Sequence, residues 1–240
     1  MPVNQAKILK RNYIICSLYF IVSFAVINLL IAILILAKIF PSELKKFEAD
    51  DLFFITFMQM LVFTGFALVI KKKFSLKIFK FRRKIHASQI LWGFLGLIGV
   101  HGIIHILMQI FNLELNQFEH FDMNIIKQKP YYFFIMVSLV APFYEEYVFR
   151  GLILRSLWPR LKKRKKILKG LAVFFSSFIF GIFHEGAQFP TFILALYLSF
   201  LTIKSAGITL PVVIHSIQNT LAAIAMLYGE ELPVETLFYF

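Results

Sequence analysis

The sequence predicts an all-α, polytopic transmembrane helix bundle. Hydrophobic residues make up 59% of its 240 residues and charged residues only 16%. Mean hydropathy is +0.76, well outside the soluble-globular average. The apolar residues also gather into runs of bilayer-crossing length. A soluble fold of this size could not cover so much apolar surface. Open sheet edges have no partners in lipid and the runs do not alternate, so helices are the expected elements.

Seven stretches approach the ~20 residues that a spanning helix needs. They are 13–38, 52–70, 87–111, 131–153, 168–186, 189–204 and 208–228, or eight spans if one segment is split. The first follows Lys7, Lys10 and Arg11, like a secretory signal, but Tyr13 to Ala37 runs 25 residues without a charge. A signal core has only ~7–15 apolar residues, so this is read as a retained span. Its Cys16 is the sole cysteine, which excludes an intrachain disulfide and suits a small packing residue. The second span ends at the basic run Lys71–Lys73.

The third span carries Gly93, Gly96, Gly99 and Gly102, a spacing that lets helices approach closely in lipid. It also holds His101 and His105, read as packing or cavity-lining residues. The sixth is bounded by Pro190 and Gly207 and is short. By these runs the chain divides into an N-terminal three-helix region, 1–129, a helical core, 130–229, and a short tail, 230–240.

Charge placement gives the orientation. With the N-terminus inside, twenty of the 26 basic residues fall in inner loops, chiefly 71–84 and 155–169, as the positive-inside rule requires. The N-terminus is therefore expected in the cytoplasm and the C-terminus outside, in a multi-pass cell-membrane protein. The net charge of +13 is then a topology signal at an anionic leaflet. No nucleic-acid partner is expected.

Ionisable side chains inside spans are costly and usually functional. Here they form three groups: Glu145, Glu146 and Arg150 in the fourth span, His184 at the end of the fifth, and His215 with Asn219 in the seventh. Glu146 and Arg150 are i,i+4 with the acid first, the favourable order for an ion pair. Glu145 points ~100° away on an α-helix, so the same arginine does not readily serve it and its carboxylate is the candidate general base. His215 and Asn219 share a helix face and could direct two donors at a developing oxyanion. At ~1.5 Å per residue, Glu145 lies ~15 Å from Arg155 and His215 ~12 Å from Gly207, but His184 lies ~22 Å from Lys169. The fifth helix must tilt, or start deep, for the three to meet.

The runs Glu145-Glu146-Tyr147-Val148-Phe149-Arg150, Phe180 to His184 and His215 to Asn219 resemble the E-E-x-x-x-R, F-x-x-x-H and H-x-x-x-N motifs of the CPBP family. That family comprises the CAAX proteases and bacteriocin-processing enzymes, also called the Abi family. The resemblance implies a metal-independent membrane endopeptidase with no cofactor. In it Glu145 activates water with help from His184, His215 and Asn219 hold the oxyanion, and Glu146 and Arg150 shape the site. It implies peptide or lipidated-peptide substrates, in CAAX-type processing, peptide or bacteriocin maturation, or self-immunity.

Three other readings compete. His184-Glu185 begins like H-E-x-x-H, but position 188 is Gln188, so that zinc signature fails; Glu145, His184 and His215 could still supply zinc ligands. A non-catalytic immunity or scaffold protein would keep the fold and bind a partner. A transporter would relay protons through the buried acids, although the halves lack inverted-repeat symmetry.

Overall fold

The computed structural model describes residues 49–76, 79–81, 84–113, 129–158, 166–184 and 186–228, residue 127, and parts of 7–26. Much of the expected first span, the basic residues 160–165 and the tail 230–240 lie outside the described residues. The chain forms two compact units, Met1–Lys77 and Ile78–Phe240. Among the described residues every regular element is helical.

In the first unit, helix α1 (Ala49–Lys73) covers the expected second span and places Lys71, Lys72 and Lys73 in its last turn, where cations favour the helix dipole. The buried Tyr19 donates its hydroxyl hydrogen to Phe63 O (2.8 Å).

The second unit begins with a strap. Phe79 N–H donates to Gly151 O (2.8 Å) and Lys80 O accepts from Ile208 N–H (3.2 Å). Helix α2 (Ala87–Ile110) follows, its first turn closed by Gln89 Oε1 accepting from His86 N–H (3.1 Å). It buries Gly93, Leu97, His101, Ile104 and Met108 at the three- and four-residue spacing of one face. Leu91, Trp92, Leu95, Ile98, Ile103 and Ile106 are exposed. A helix apolar on both its inner and outer faces belongs in lipid. The expected N-terminal three-helix region grouped α2 with the first two spans; in the structure it packs on the helices of the expected sixth and seventh spans.

Helix α3 (Pro130–Leu157) is wound as π-helix over Met136–Val140 and again over Glu146–Leu154. Pro142 explains the first loosening. It has no N–H to give Ser138 O, and just before it Ala141 N–H reaches back five residues to Met136 O. Neighbouring elements supply donors to carbonyls in both stretches: Asn219 Nδ2 to Val137 O (2.9 Å), Ser176 Oγ to Phe149 O (2.9 Å) and Phe79 N to Gly151 O. Buried backbone oxygens need such partners.

Helices α4 (Lys166–Ile182) and α5 (Gln188–Ser205) form a tight hairpin, and α6 (Thr209–Tyr228) closes the bundle. A Cβ on Gly181 would lie 2.8 Å from Gln188 O and 2.9 Å from Phe192 Cβ, so only glycine permits this approach. Gly93 similarly admits Ile214, and the Tyr197 hydroxyl donates to Gly93 O. Gly99 and Gly102 have nothing near them, so half of the glycine stripe serves packing. The core joins Leu97 of α2, Leu194, Leu198 and Leu201 of α5, and Leu210 and Ile214 of α6.

Three described helices, Ala87–Ile110, Pro130–Leu157 and Thr209–Leu227, are long and apolar enough to cross a membrane. The expected fifth and sixth spans are helices of 17 and 18 residues. At ~1.5 Å per residue they reach only about 25–27 Å, short of a ~30 Å core.

Candidate active site

Three helices and the turn after α4 deliver polar groups to one buried region. Glu146 and Arg150, both wholly buried, form an ion pair at 2.8 Å. The π-winding keeps the i,i+4 relation close enough for contact. Arg150 also donates to Ala195 O of α5 (3.3 Å) and lays its guanidinium 4.2 Å from the centre of the Phe180 ring. Its charge is therefore held by an acid, a carbonyl and an aromatic face, as a cation removed from water requires.

His215 stands between the two glutamates. Its Nδ1 donates to Glu146 Oε1 at 3.1 Å, and its Nε2 lies 3.8 Å from Glu145 Oε2. Glu145 keeps 11% of its side chain accessible, whereas Glu146 and Arg150 keep none. Glu145 Oε2 is buried and has no hydrogen-bond partner among the described residues. One acid of the pair is thus paired with a cation, and the other keeps a small accessible fraction. The α-helical argument for their different surroundings holds even though the winding changes to π at Glu146.

His184 is not inside a helix. It lies two residues past the end of α4, with its N–H on Gly181 O (3.0 Å) and its Nδ1 donating to Phe180 O (2.8 Å). Both bonds satisfy carbonyls that the helix end leaves open. F-x-x-x-H is therefore a capping arrangement: the phenylalanine's carbonyl fixes the imidazole four residues later. Gly186, at φ 78°, turns the chain in a conformation open mainly to glycine, and Ala187 N–H returns to His184 O (3.1 Å). His184 is close enough to Glu145, His215 and Arg150 to interact with their charges. The hairpin turn brings it into the cluster, without the long deep helix that the spacing argument demanded.

Phe180 is the packing centre. It is fully buried, with the His184 ring at 4.5 Å, Phe149 at 4.9 Å and His215 at 6.0 Å between centroids. Asn219 shares the α6 face with His215 but donates one amide hydrogen to Val137 O; its amide has a second. The sequence reading missed this carbonyl, which the π-winding presents, and it missed Gln218, bonded to His101 (2.6 Å). Pro142 was the available signal for the first. Among the described residues no group of three His, Cys, Asp or Glu side chains has metal-holding geometry.

Residues 127–221 match the family model described as type II CAAX prenyl endopeptidase Rce1-like. The membrane-embedded CAAX protease MroQ of Staphylococcus aureus (strain USA300) is 30% identical over 109 residues, which cover 45% of this chain and 44% of that protein. The match therefore spans less than half the length of the curated relative. No solved structure matches. Both matches are similarities to CAAX-type proteases, and each covers less than half of the chain. The CPBP-like segment contains Glu145, Glu146, Arg150, Phe180, His184, His215 and Asn219, and it leaves α2 outside. Together with the apolar helices, the comparisons support a multi-pass membrane protein that is similar over this segment to CAAX proteases.

Proposed function

We propose that the chain is an intramembrane endopeptidase that hydrolyses a peptide bond with water activated by Glu145. The observation that carries this is the asymmetry of the two glutamates: Arg150 neutralises Glu146, while Glu145, its Oε2 without a hydrogen-bond partner among the described residues, faces His215 Nε2. With Nδ1–H committed to Phe180 O, the neutral His184 ring leaves Nε2 as an acceptor for a water hydrogen. Glu145 takes the water proton, the hydroxide adds to the carbonyl carbon, and Glu145 returns the proton to the departing amine.

The tetrahedral oxyanion falls to His215 Nε2 and the second Asn219 N–H. Because His215 Nδ1 already donates to Glu146, Nε2 donates to the oxyanion only when the ring carries both protons. Glu146 is then the group that orients His215, the oxyanion balances the charge of the imidazolium, and Arg150 holds Glu146. The reading uses no metal or cofactor.

The substrate class is a peptide or lipidated peptide that enters from the bilayer, in CAAX-type processing or in peptide or bacteriocin maturation or self-immunity. Comparative peptidomics of cells carrying wild type or Glu145→Gln, with and without a chelator, tests the reading. Cleavage products unique to wild type and insensitive to the chelator are expected. Identical peptidomes would overturn the peptidase, and products lost with the chelator would replace the mechanism with a metal-assisted one.

A further inference from the structure

His101 is a buried histidine of α2, outside the CPBP-like segment, and none of the steps above uses it. Its Nε2 donates to Gln218 Oε1 at 2.6 Å. Gln218 directly precedes Asn219, whose amide is fastened on the other side to Val137 O of α3 at 2.9 Å. One turn earlier on α6, Ile214 packs on Gly93 of α2, beside His215. Both α2 contacts therefore fall next to a motif residue: Gly93 against the residue before His215, and His101 against the residue before Asn219.

From this geometry we infer that His101 is a positioning residue of the peptidase site, fixing the α6 turn that carries Asn219 through its bond to Gln218. A hydrogen bond formed away from water is directional and costly to leave unmade. Van der Waals packing of α2 on α6 resists separation of the helices but resists rotation of α6 about its own axis much less. The His101–Gln218 bond supplies that restraint at the level of Asn219, and Val137 O supplies it from α3. With α2 detached there, Asn219 keeps a single tether, and the donor set for the oxyanion loses its fixed direction. Catalytic groups displaced by about 1 Å can lose on the order of a hundredfold in rate. The motif-bearing segment is, on this account, incomplete without the third span.

The inference rests on the peptidase reading, so its test carries a readout that does not. Full-length His101→Leu, Gln218→Leu, the double variant, His101→Gln and the in-helix control His105→Leu are compared in detergent or lipid. The probe is an internally quenched peptide copied from a cleavage product found by the peptidomic comparison. His101→Leu should lower kcat roughly ten- to a hundredfold with KM little changed. Gln218→Leu should do the same, the double variant should lose no more than either single, and His101→Gln should recover most of the rate. His105→Leu should keep the wild-type kcat.

Thermal unfolding of the same proteins gives the independent readout, in which the losses in Tm of the two single variants should not add. Additive losses in kcat, wild-type kcat in His101→Leu, no recovery in His101→Gln, or an equal loss in His105→Leu would each overturn the positioning role. If the wild type cleaved nothing while the Tm losses remained coupled, the peptidase reading would fall, and the α2–α6 link would survive only as a structural one.

Discussion

Replacing Glu146 by glutamine keeps the shape of the site and strands a cation. Arg150 would stay charged with none of its side chain accessible, and its carboxylate partner at 2.8 Å would become a neutral amide. What remains is the Ala195 carbonyl at 3.3 Å and the face of Phe180 at 4.2 Å, the latter about 0.5–2 kcal/mol for a cation over a ring. Breaking one partner of a buried pair costs about 3–5 kcal/mol. Glu145 still interacts with the guanidinium, and the glutamine oxygen can still accept a hydrogen bond, so a loss near the low end, about 3 kcal/mol, is expected.

Removing the stranded charge should then help. Glu146→Gln/Arg150→Met should be more stable than Glu146→Gln alone, because a buried pair replaced on both sides leaves no unpaired ion. Denaturant unfolding in mixed micelles, followed by the fluorescence of Trp92 and Trp158, measures both variants. The reasoning fails if Glu146→Gln stays within about 1 kcal/mol of wild type, or if the double variant is the less stable of the two.

Further outcomes follow from other contacts. Gly181→Ala pushes a methyl group against Gln188 O and Phe192 Cβ and should destabilise by roughly 1–3 kcal/mol, whereas Gly99→Ala has open space and should be neutral or slightly stabilising; the same unfolding assay compares them. Asn219→Leu leaves Val137 O without its donor and should cost about 1–3 kcal/mol while abolishing cleavage of the quenched peptide. Single cysteines introduced in a Cys16→Ser background give the orientation: positions 72 and 204 should react with an impermeant thiol reagent only after the cells are opened, and position 230 in intact cells. The reverse labelling pattern would invert the topology.

The sequence made the Glu146–Arg150 pair legible because i,i+4 neighbours meet whether the helix is α or π. Glu145's separate surroundings were legible for the same reason. The joining of three helices at one point was not contained in any single spacing; it emerged from the co-occurrence of three motifs, each weak alone. His184 shows the limit of counting rise along a helix. The distance argument treated it as helical and asked for a tilted span, while the chain instead ends α4 at Ile182 and folds back, so the residue reaches the cluster from a turn. The two π stretches were hidden because hydrophobic periodicity does not register one extra residue per turn, although Pro142 marks where the first must yield. Tyr197 on Gly93 and His101 on Gln218 pair residues 104 and 117 positions apart, which no local pattern encodes.

The shortness of the α4–α5 hairpin bears on how the reaction would be supplied. Irregular backbone at membrane depth is tolerated only where protein buries it or an aqueous recess meets it. Phe183, His184 and Ala187 bond back to the hairpin's own backbone, yet His184 remains partly open. Its open side therefore calls for solvent, entering over the blunt end of the hairpin, at the membrane face opposite Lys166. Lipid thins over elements too short for it, so the dip above His184 would form a shallow well whose floor is the candidate site. Water would reach it from that one face, and no pore through the bundle would be required.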